Sequence, residues 1–318
     1  MPAGRGRLGM TSAEQLSMLA ECELARDRIA GVLTRTRVTR DPATGVHLKC
    51  ETEQVTGSFK ARGALNALAG AGAHQVVVGS SGNHGIAIAW AARQLGVSAT
   101  VVMTRTASPH KRAVIAGLGA RVVECDGGNN ARGERVAEIA EETGAVPISS
   151  YDHPLVVAGQ STVGAEIIEQ LPEVRTIVAP VCGGGLLAGT ALAVQAAGAP
   201  VEVFGVEPVT ANDTARSLAC GHRVTIDVPH SICDGALAQS PGEFTFPIIQ
   251  RRVAGIVEVT DEQVIEAMRA LAALGIQAEP TGALALAGAR QLRRTGPTVA
   301  VLSGSNIAPE QYQALIGT

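Results

Sequence analysis

The chain has 318 residues, which is enough for two domains of ordinary size because single hydrophobic cores stop growing at about 250–300 residues. Aromatic residues make up only 2% of it and the formal net charge is -3. The sequence therefore offers neither an aromatic platform for bases nor a basic stripe for phosphates, and nucleic acid is excluded as the expected partner.

The predicted elements begin with a capping-box pattern, Thr11-Ser12-Ala13-Glu14, which predicts a helix running toward Gly31 after a loose tail over residues 1–10. From about residue 42 onward, short β-branched runs alternate with stretches rich in Ala, Leu and Arg, a pattern typical of a parallel sheet covered by helices. Strands are predicted over residues 46–50, 75–79, 99–104, 121–125, 176–181, 202–207 and 298–303. Helices are predicted over residues 59–69, 84–95, 111–117, 131–143, 157–171, 186–197, 261–274 and 281–293.

The cysteine spacing and the hydropathy pattern indicate a cytoplasmic protein that does not enter the membrane. The six cysteines lie far apart with no Cys-x-x-Cys pair, which predicts reduced thiols and no zinc site. Residues 181–201 carry no charge, but their glycines and Pro200 favour a buried strand, loop and helix over a membrane span. No apolar segment follows the first ten residues, so they are not interpreted as a secretory signal.

Three predicted strands end in small polar or glycine-rich segments, where the next helix would expose unpaired amides. Ser80-Ser81-Gly82-Asn83-His84-Gly85 follows the second strand, Cys182-Gly183-Gly184-Gly185-Leu186 follows the fifth, and Ser303-Gly304-Ser305-Asn306 ends the last. Three consecutive glycines favour a phosphate cradle, since a bare turn needs only one or two. For the serine-rich segment, a plain helix N-cap is an equal alternative.

Lysine is rare in this chain, because Lys49, Lys60 and Lys111 stand against 23 arginines. Lys60 follows Phe59 at the start of a predicted helix, where the helix dipole and an apolar neighbour would both lower its pKa. A neutral amine suits a Schiff base with a carbonyl cofactor, whereas the alternative is a solvated surface lysine. Together with a glycine loop and no nucleotide motif, Lys60 indicates pyridoxal phosphate.

These segments resemble the ordered motifs of a known family. Ser58-Phe59-Lys60-Ala61-Arg62-Gly63-Ala64, the serine-rich segment, Gly183-Gly184-Gly185-Leu186 and Ser303-Gly304-Ser305-Asn306 look like those of fold-type II pyridoxal-phosphate enzymes. Within that group the chain resembles the threonine/serine dehydratase and serine racemase family, from about Leu48 to Asn306. The resemblance implies an α/β fold in two lobes, each an open, mostly parallel, twisted sheet flanked by helices. The small domain would span residues 42–151, and the large domain residues 1–41 and 152–318.

The resemblance also implies a role for each matching residue. Lys60 would hold the cofactor and remove the α-proton of the substrate, with Phe59 beside it and Asn83 on the phenolic oxygen of the ring. Ser303 would meet the pyridine nitrogen. The backbone amides of Gly183, Gly184, Gly185 and Leu186 would cradle the phosphate. The substrate carboxylate would be covered by Ser80, Ser81, Gly82, Asn83 and His84.

A divalent-cation loop and an oligomeric state are implied in the same way. Glu207, the carbonyl of Ala211 and Asp213 are similar to the family's ligands for Mg²⁺ or Ca²⁺, and hard cations take such oxygen ligands. The alternative is that Glu207 ends a strand and Asp213 caps a helix. The resemblance implies a homodimer.

The expected activity is β-elimination from L-threonine or L-serine, which gives a 2-oxo acid and ammonia. Alternatives are a serine or related racemase, in which Ser81 would protonate the opposite face, and a dehydratase of hydroxyaspartate or of a compatible-solute pathway (hydroxyectoine). Arg132 either matches an arginine near the substrate entrance or, as the favoured interpretation, is a helix-surface residue. A noncatalytic ligand-binding protein would have lost Lys60 or the glycine loop, and no Gly-x-Ser-x-Gly elbow indicates a serine hydrolase.

Overall fold

The computed structural model describes residues 12–317. Its strands form two separate sheets, of six and four strands. The residues predicted to form a loose tail, together with Thr11 of the predicted capping box, lie outside the described residues.

The larger sheet is mostly parallel and runs in the order β1-β2-β10-β7-β8-β9. Its first strand, β1, pairs antiparallel with β2, and every other pairing in the sheet is parallel. The six strands are β1 (Val38–Arg40), β2 (His47–Cys50), β7 (Thr176–Pro180), β8 (Glu202–Pro208), β9 (Gly255–Val259) and β10 (Thr298–Leu302). Because neighbouring strands are parallel, their carboxyl ends meet at one edge, where ligands bind in open α/β sheets.

The smaller sheet is wholly parallel and runs in the order β5-β4-β3-β6. Its strands are β3 (Gln75–Gly79), β4 (Ser98–Thr104), β5 (Arg121–Cys125) and β6 (Val146–Pro147). Parallel neighbours need a crossover connection, and helices provide it between consecutive strands of this sheet.

Twelve helices are described. They are α1 (Ser12–Ile29), α2 (Lys60–Ala71), α3 (Asn83–Leu95), α4 (Pro109–Gly117), α5 (Asn129–Thr143), α6 (Pro154–Gln170), α7 (Gly185–Ala196), α8 (Asp213–Cys220), α9 (Thr245–Arg252), α10 (Asp261–Ala273), α11 (Pro280–Ala289) and α12 (Pro309–Ile316). Helices α3, α4 and α5 pack on the smaller sheet and form the smaller lobe with it, whereas α2 packs on both α3 and α6. The larger lobe is the larger sheet with α1 and α6–α12.

The core is made of Ala, Val, Leu and Ile, as the shortage of aromatic residues requires. One apolar cluster joins α10 and α11 to the larger sheet, a second joins α1, α6 and α7 to it, and a third fills the smaller lobe. Small side chains allow close helix packing. A Cβ atom placed on Gly159 of α6 would lie 2.5 Å from the carbonyl oxygen of Arg62 in α2.

The two-lobed α/β architecture is confirmed, and most predicted elements lie within a few residues of the observed ones. The boundary predicted at residue 42 differs from the strand pairing, however, because β2 pairs with β10 in the larger sheet. The prediction also missed the short strands β1, β6 and β9 and the helices α8, α9 and α12. These are short segments, in which a period of 2 or 3.6 has too few residues to stand out.

None of the helices within residues 12–317 is long and apolar enough to cross a membrane. The uncharged stretch of residues 181–201 follows β7 and contains the loop after that strand and the helix α7.

Candidate active site

Lys60 is the first residue of α2 and lies in the cleft between the two lobes. Its Nζ donates a hydrogen bond of 2.9 Å to the carbonyl oxygen of Ser150 and lies 4.9 Å from the centroid of the Phe59 ring. Cys182 of the larger lobe and His84 of the smaller lobe both lie close enough to interact electrostatically with this amine. Burial lowers the pKa of Lys60, which confirms the predicted direction of the shift and favours a neutral amine.

Residues 80–84, which we call the serine-rich turn, connect β3 to α3. The hydroxyl of Ser80 accepts a bond of 3.3 Å from the amide of Gly82. The hydroxyl of Ser81 accepts one of 3.2 Å from the amide of Thr104. His84 is buried, and burial lowers its pKa to about 3, so its imidazole is neutral at physiological pH. The turn therefore presents hydroxyls and the first amides of a helix, which suits a carboxylate.

Asn83 is held by the larger lobe on both sides of its amide group. Its Nδ2 donates to Oε1 of Glu279 at 2.5 Å, and its Oδ1 accepts from Nδ2 of Asn306 at 2.8 Å. A side-chain amide has two N–H donors, so one remains after the bond to Glu279. Asn83 thus has a fixed orientation and a free donor, as a group that binds a ring oxygen needs.

Residues 182–186, which we call the glycine loop, connect β7 to α7. A Cβ atom on Gly183 would lie 2.3 Å from the ring of Tyr151, and Gly184 has a φ of +93° that L side chains rarely adopt. The carbonyl oxygen of Gly183 accepts a bond of 2.7 Å from Thr245. The first amides of α7 have no acceptor inside the helix. The loop can thus present its backbone closely to an anion such as a phosphate, which fits the predicted cradle.

Ser303 follows β10 and is buried. Its Oγ donates a bond of 3.2 Å to the carbonyl oxygen of Thr281, and its own carbonyl oxygen accepts from the amide of Phe59 at 3.1 Å. This second bond ties the end of β10 to the residue before Lys60. A hydroxyl can rotate and has one donor and two acceptor sites, so Ser303 can pair with a ring nitrogen.

Glu207 and Asp213 form a pair of buried carboxyls near the end of β8. The carboxylate oxygens of Glu207 accept bonds of 3.2 and 3.0 Å from the amides of Thr214 and Ala215. Oδ1 of Asp213 has no hydrogen-bond partner among residues 12–317. Burial and the charge of Asp213 raise the pKa of Glu207 to about 8, and burial raises the pKa of Asp213 to about 7. Two neighbouring carboxyls with an unsatisfied oxygen suit a divalent cation.

The structure is also compatible with part of the alternative interpretation of this pair. Glu207 is the last but one residue of β8 and accepts hydrogen bonds from the amides of Thr214 and Ala215 in α8, whereas the N-cap residue of α8 is Asn212 and not Asp213. Ala211 is buried beside them, and its amide donates a bond of 2.8 Å to Pro208. Within residues 12–317, no group of three or more His, Cys, Asp or Glu side chains could hold a metal ion. A cation here would need backbone oxygen or water as further ligands, so the metal site stays a prediction.

Sequence reasoning assigned no role to Glu279, which lies at the centre of the cleft. Burial, with the charge of Asp234 adding to it, raises the pKa of Glu279 to about 7. The segment Glu279-Pro280-Thr281-Gly282 is part of the resemblance to the family, but the resemblance gave Glu279 no role of its own. What distinguishes Glu279 is that its carboxyl is buried, and the sequence does not show which glutamates are buried.

Arg132 is a residue of α5 that is half-buried and not fully solvated. Its side chain packs over Gly79, where a Cβ atom would lie 3.1 Å from its Cγ. Burial lowers the pKa of Arg132, and Tyr151 and Cys182 are close enough for their charges to act on it. Arg132 is therefore half-buried and lies near Tyr151 and Cys182.

The chain is similar to several known proteins over most of its length. The family described as pyridoxal-phosphate dependent enzyme matches residues 31–304. L-threo-3-hydroxyaspartate ammonia-lyase of a Pseudomonas species is 41% identical over 316 residues, which cover 95% of this chain and 99% of that protein. Serine racemase of Schizosaccharomyces pombe is 39% identical and covers 88% and 90%. The solved structure of maize serine racemase has a TM-score of 0.88 at 31% identity, covering 93% of this chain and 96% of that one.

Proposed function

The chain belongs to the family of pyridoxal-phosphate-dependent enzymes, and on that premise we propose that it is an ammonia-lyase that removes the β-hydroxyl group of a 3-hydroxy amino acid. The observation that carries the proposal is Lys60, whose half-buried amine has a lowered pKa and lies near His84 of the serine-rich turn and Cys182 of the glycine loop. We propose L-threo-3-hydroxyaspartate as the preferred substrate, ahead of the L-threonine and L-serine that the motifs first suggested.

Each residue of the cleft has a separate role in the proposed reaction. When bound, pyridoxal phosphate supplies an electron sink that makes the α-proton of an attached amino acid acidic. The amide groups of Gly183 to Leu186 would bind the phosphate, because a glycine-rich backbone can approach an anion closely. Asn83 and Ser303 would orient the ring through hydrogen bonds. The neutral Nζ of Lys60 takes the α-proton, since a base must be unprotonated to accept one.

The overall reaction conserves water. The carbon–oxygen bond to the β-hydroxyl breaks and the group leaves as water, which yields an enamine. Hydrolysis of that enamine consumes one water and releases a 2-oxo acid and ammonia. No oxidant or reductant is needed.

Two observations support an acidic substrate. Arg132 lies near Tyr151 and Cys182, and a guanidinium there can pair with a second carboxylate. The relative from Pseudomonas described above matches over nearly its full length and is a hydroxyaspartate ammonia-lyase. Serine and threonine offer this arginine no second carboxylate.

The attachment of the cofactor is tested by borohydride reduction. Reduction of the loaded protein fixes the cofactor to Lys60, and peptide mapping identifies the modified lysine. Lys60→Ala should lose the modification, whereas the control Lys111→Met should keep it. Modification of Lys49 or Lys111 would contradict the assignment.

The substrate is tested by measuring 2-oxo acid formation with L-threo-3-hydroxyaspartate, L-serine and L-threonine. We expect kcat/KM to be highest for hydroxyaspartate. Because Arg132 would pair with the second carboxylate, Arg132→Met should lower kcat/KM for hydroxyaspartate by about 10–100-fold and change that for serine much less. Equal losses for both substrates would reject this role of Arg132.

Racemisation is the second candidate, favoured by the position of Ser81. Its hydroxyl lies in the serine-rich turn and accepts a hydrogen bond from the amide of Thr104. A hydroxyl that accepts such a bond still has its own proton to donate. Chiral analysis of serine after incubation decides this candidate. If Ser81 donates the second proton, Ser81→Ala removes racemisation while elimination continues.

We also propose that Glu207, Asp213 and the carbonyl of Ala211 hold Mg²⁺ or Ca²⁺. The support is the pair of buried carboxyls and the unpartnered oxygen of Asp213, within residues 12–317.

A further inference from the structure

An ion pair connects the two lobes beside the serine-rich turn. Nζ of Lys111 in α4 donates a bond of 2.8 Å to Oδ2 of Asp234. Lys111 belongs to the smaller lobe, and Asp234 begins a short 3-10 turn of the larger lobe. The lysine side chain is 10% exposed and the aspartate side chain 61% exposed. The bond therefore lies at the rim of the cleft, with its cationic end turned inward.

Both ends of this bond are anchored. Next to Asp234, the amide of Gly235 donates a bond of 3.0 Å to the hydroxyl of Thr281 in α11. On the other side, Nζ of Lys111 lies 3.8 Å from the point where a Cβ atom of Gly82 would lie. The ammonium group thus lies directly against the serine-rich turn. A shift of Lys111 would remove this contact with Gly82.

A second bond between the lobes runs in parallel. Asn83 donates to Glu279, so the same turn is joined to the larger lobe at its helical end. Burial by itself would lower the pKa of Lys111, but the carboxylates of Asp234 and Glu279 raise it above its usual value. Two donors of the smaller lobe thus face two carboxylates of the larger one. The turn lies between these two bonds.

We propose that the Lys111–Asp234 pair positions the serine-rich turn over the substrate, so that Lys111 acts as a positioning residue and does not contact the reacting atoms. This inference rests on the proposed function, since the turn would cover the substrate carboxylate. An ion pair with one exposed partner contributes little to folding. Its loss should affect substrate binding more than the stability of the protein.

Steady-state kinetics with the best substrate of the panel test the inference. Lys111→Met and Asp234→Asn should each raise KM by about tenfold, with a smaller change in kcat, because an interaction that holds the bound substrate is lost in both. Arg112→Met is the matched control, since Arg112 is the next residue of α4 and pairs with Glu124 inside the smaller lobe. The control should keep the KM of the wild type.

Two further variants separate positioning from direct contact with the substrate. If Lys111 bound the substrate itself, Asp234→Asn would free it and lower KM, which would overturn the inference. The exchanged pair Lys111→Glu with Asp234→Lys should return KM to within about threefold of the wild type, because the bond between the lobes is restored. The inference is also overturned if the exchanged pair does not restore KM while a folded Asp234→Asn variant keeps the KM of the wild type.

Hydrogen exchange gives a measurement that does not depend on activity. In the cofactor-free protein, the peptide over residues 80–86 should exchange about tenfold faster in Asp234→Asn than in Arg112→Met, because the turn opens locally. Unchanged exchange would contradict the inference even if the protein is an active lyase. Faster exchange without lyase activity would reject the proposed function and leave the bond between the lobes supported.

Discussion

At the scale of single residues, burial decides which chemistry a side chain can perform. The amine of Lys60 and the carboxyls of Glu207 and Asp213 all lie in poorly solvated positions that favour their neutral forms. For Lys60 the neutral form is a base. For the carboxyl pair the neutral form is the protonated acid.

The carboxyl pair predicts how stability depends on pH and on cations. The pKa values of Glu207 and Asp213 are raised in the folded protein to about 8 and about 7, above the values near 4 of an unfolded chain. Between these limits the folded protein binds more protons, so without a cation its stability falls as pH rises from about 4 to 8. Thermal unfolding with a chelator present should show a declining Tm over this range.

Mg²⁺ or Ca²⁺ should restore stability at pH 8, by about 2.7 kcal/mol at a free concentration of about 100 times Kd. Glu207→Gln should lose the cation effect and flatten the decline with pH. Glu258→Gln is the control, because Glu258 pairs in register with Glu207 on the neighbouring strand but is exposed. A cation effect that survives in Glu207→Gln would reject the site.

At the scale of elements, glycine determines how closely the helices approach. Gly159 of α6 lies against the backbone of α2, and Gly133 of α5 has no atom near its Cβ position. The sequence predicted both helices, but it did not show which of the two glycines packs against a neighbouring helix. The period of the apolar residues identifies a helix, whereas the distance to its neighbour depends on the packed pair.

The two glycines should therefore respond in opposite directions to the same substitution. Gly159→Ala places a methyl group 2.5 Å from a backbone oxygen, so we expect a loss of about 1–3 kcal/mol in the free energy of unfolding. Gly133→Ala should gain about 0.4–1 kcal/mol, because it reduces the entropy of the unfolded chain without a clash. Urea unfolding measures both. A neutral Gly159→Ala would show that α2 and α6 can separate without cost.

At the scale of the whole molecule, a buried ionic cluster joins α2 to both the larger sheet and α6. The guanidinium of Arg62 donates to both oxygens of Glu51 and to both oxygens of Glu166, at 2.7 to 2.9 Å. Lys49 of β2 also donates to Glu166, at 2.6 Å. Arg62 lies two positions after Lys60 in α2, so the cluster fixes the helix that carries the amine.

Removing one member of this cluster leaves an unpaired charge in the core. Arg62→Met should lower the free energy of unfolding by about 3–5 kcal/mol, because Glu51 is buried and loses its partner. The control is Arg135→Met on the surface of α5, whose pair with Glu138 is exposed and should contribute little to the free energy of unfolding. Similar losses for both variants in urea unfolding would contradict the role of the cluster.

The sequence by itself determined the alternation of strands and helices, the family, and the motifs that contribute Lys60, Asn83, the glycine loop and Ser303. These depend on local pattern and on residue type, which the chain carries directly. Only the tertiary structure decided that β2 belongs to the larger sheet, that Arg132 is half-buried near Tyr151 and Cys182, and that Glu279 and Lys111 join the lobes. Strand order, burial and the pairing of distant charges depend on contacts between segments far apart in the chain, and no local pattern contains them.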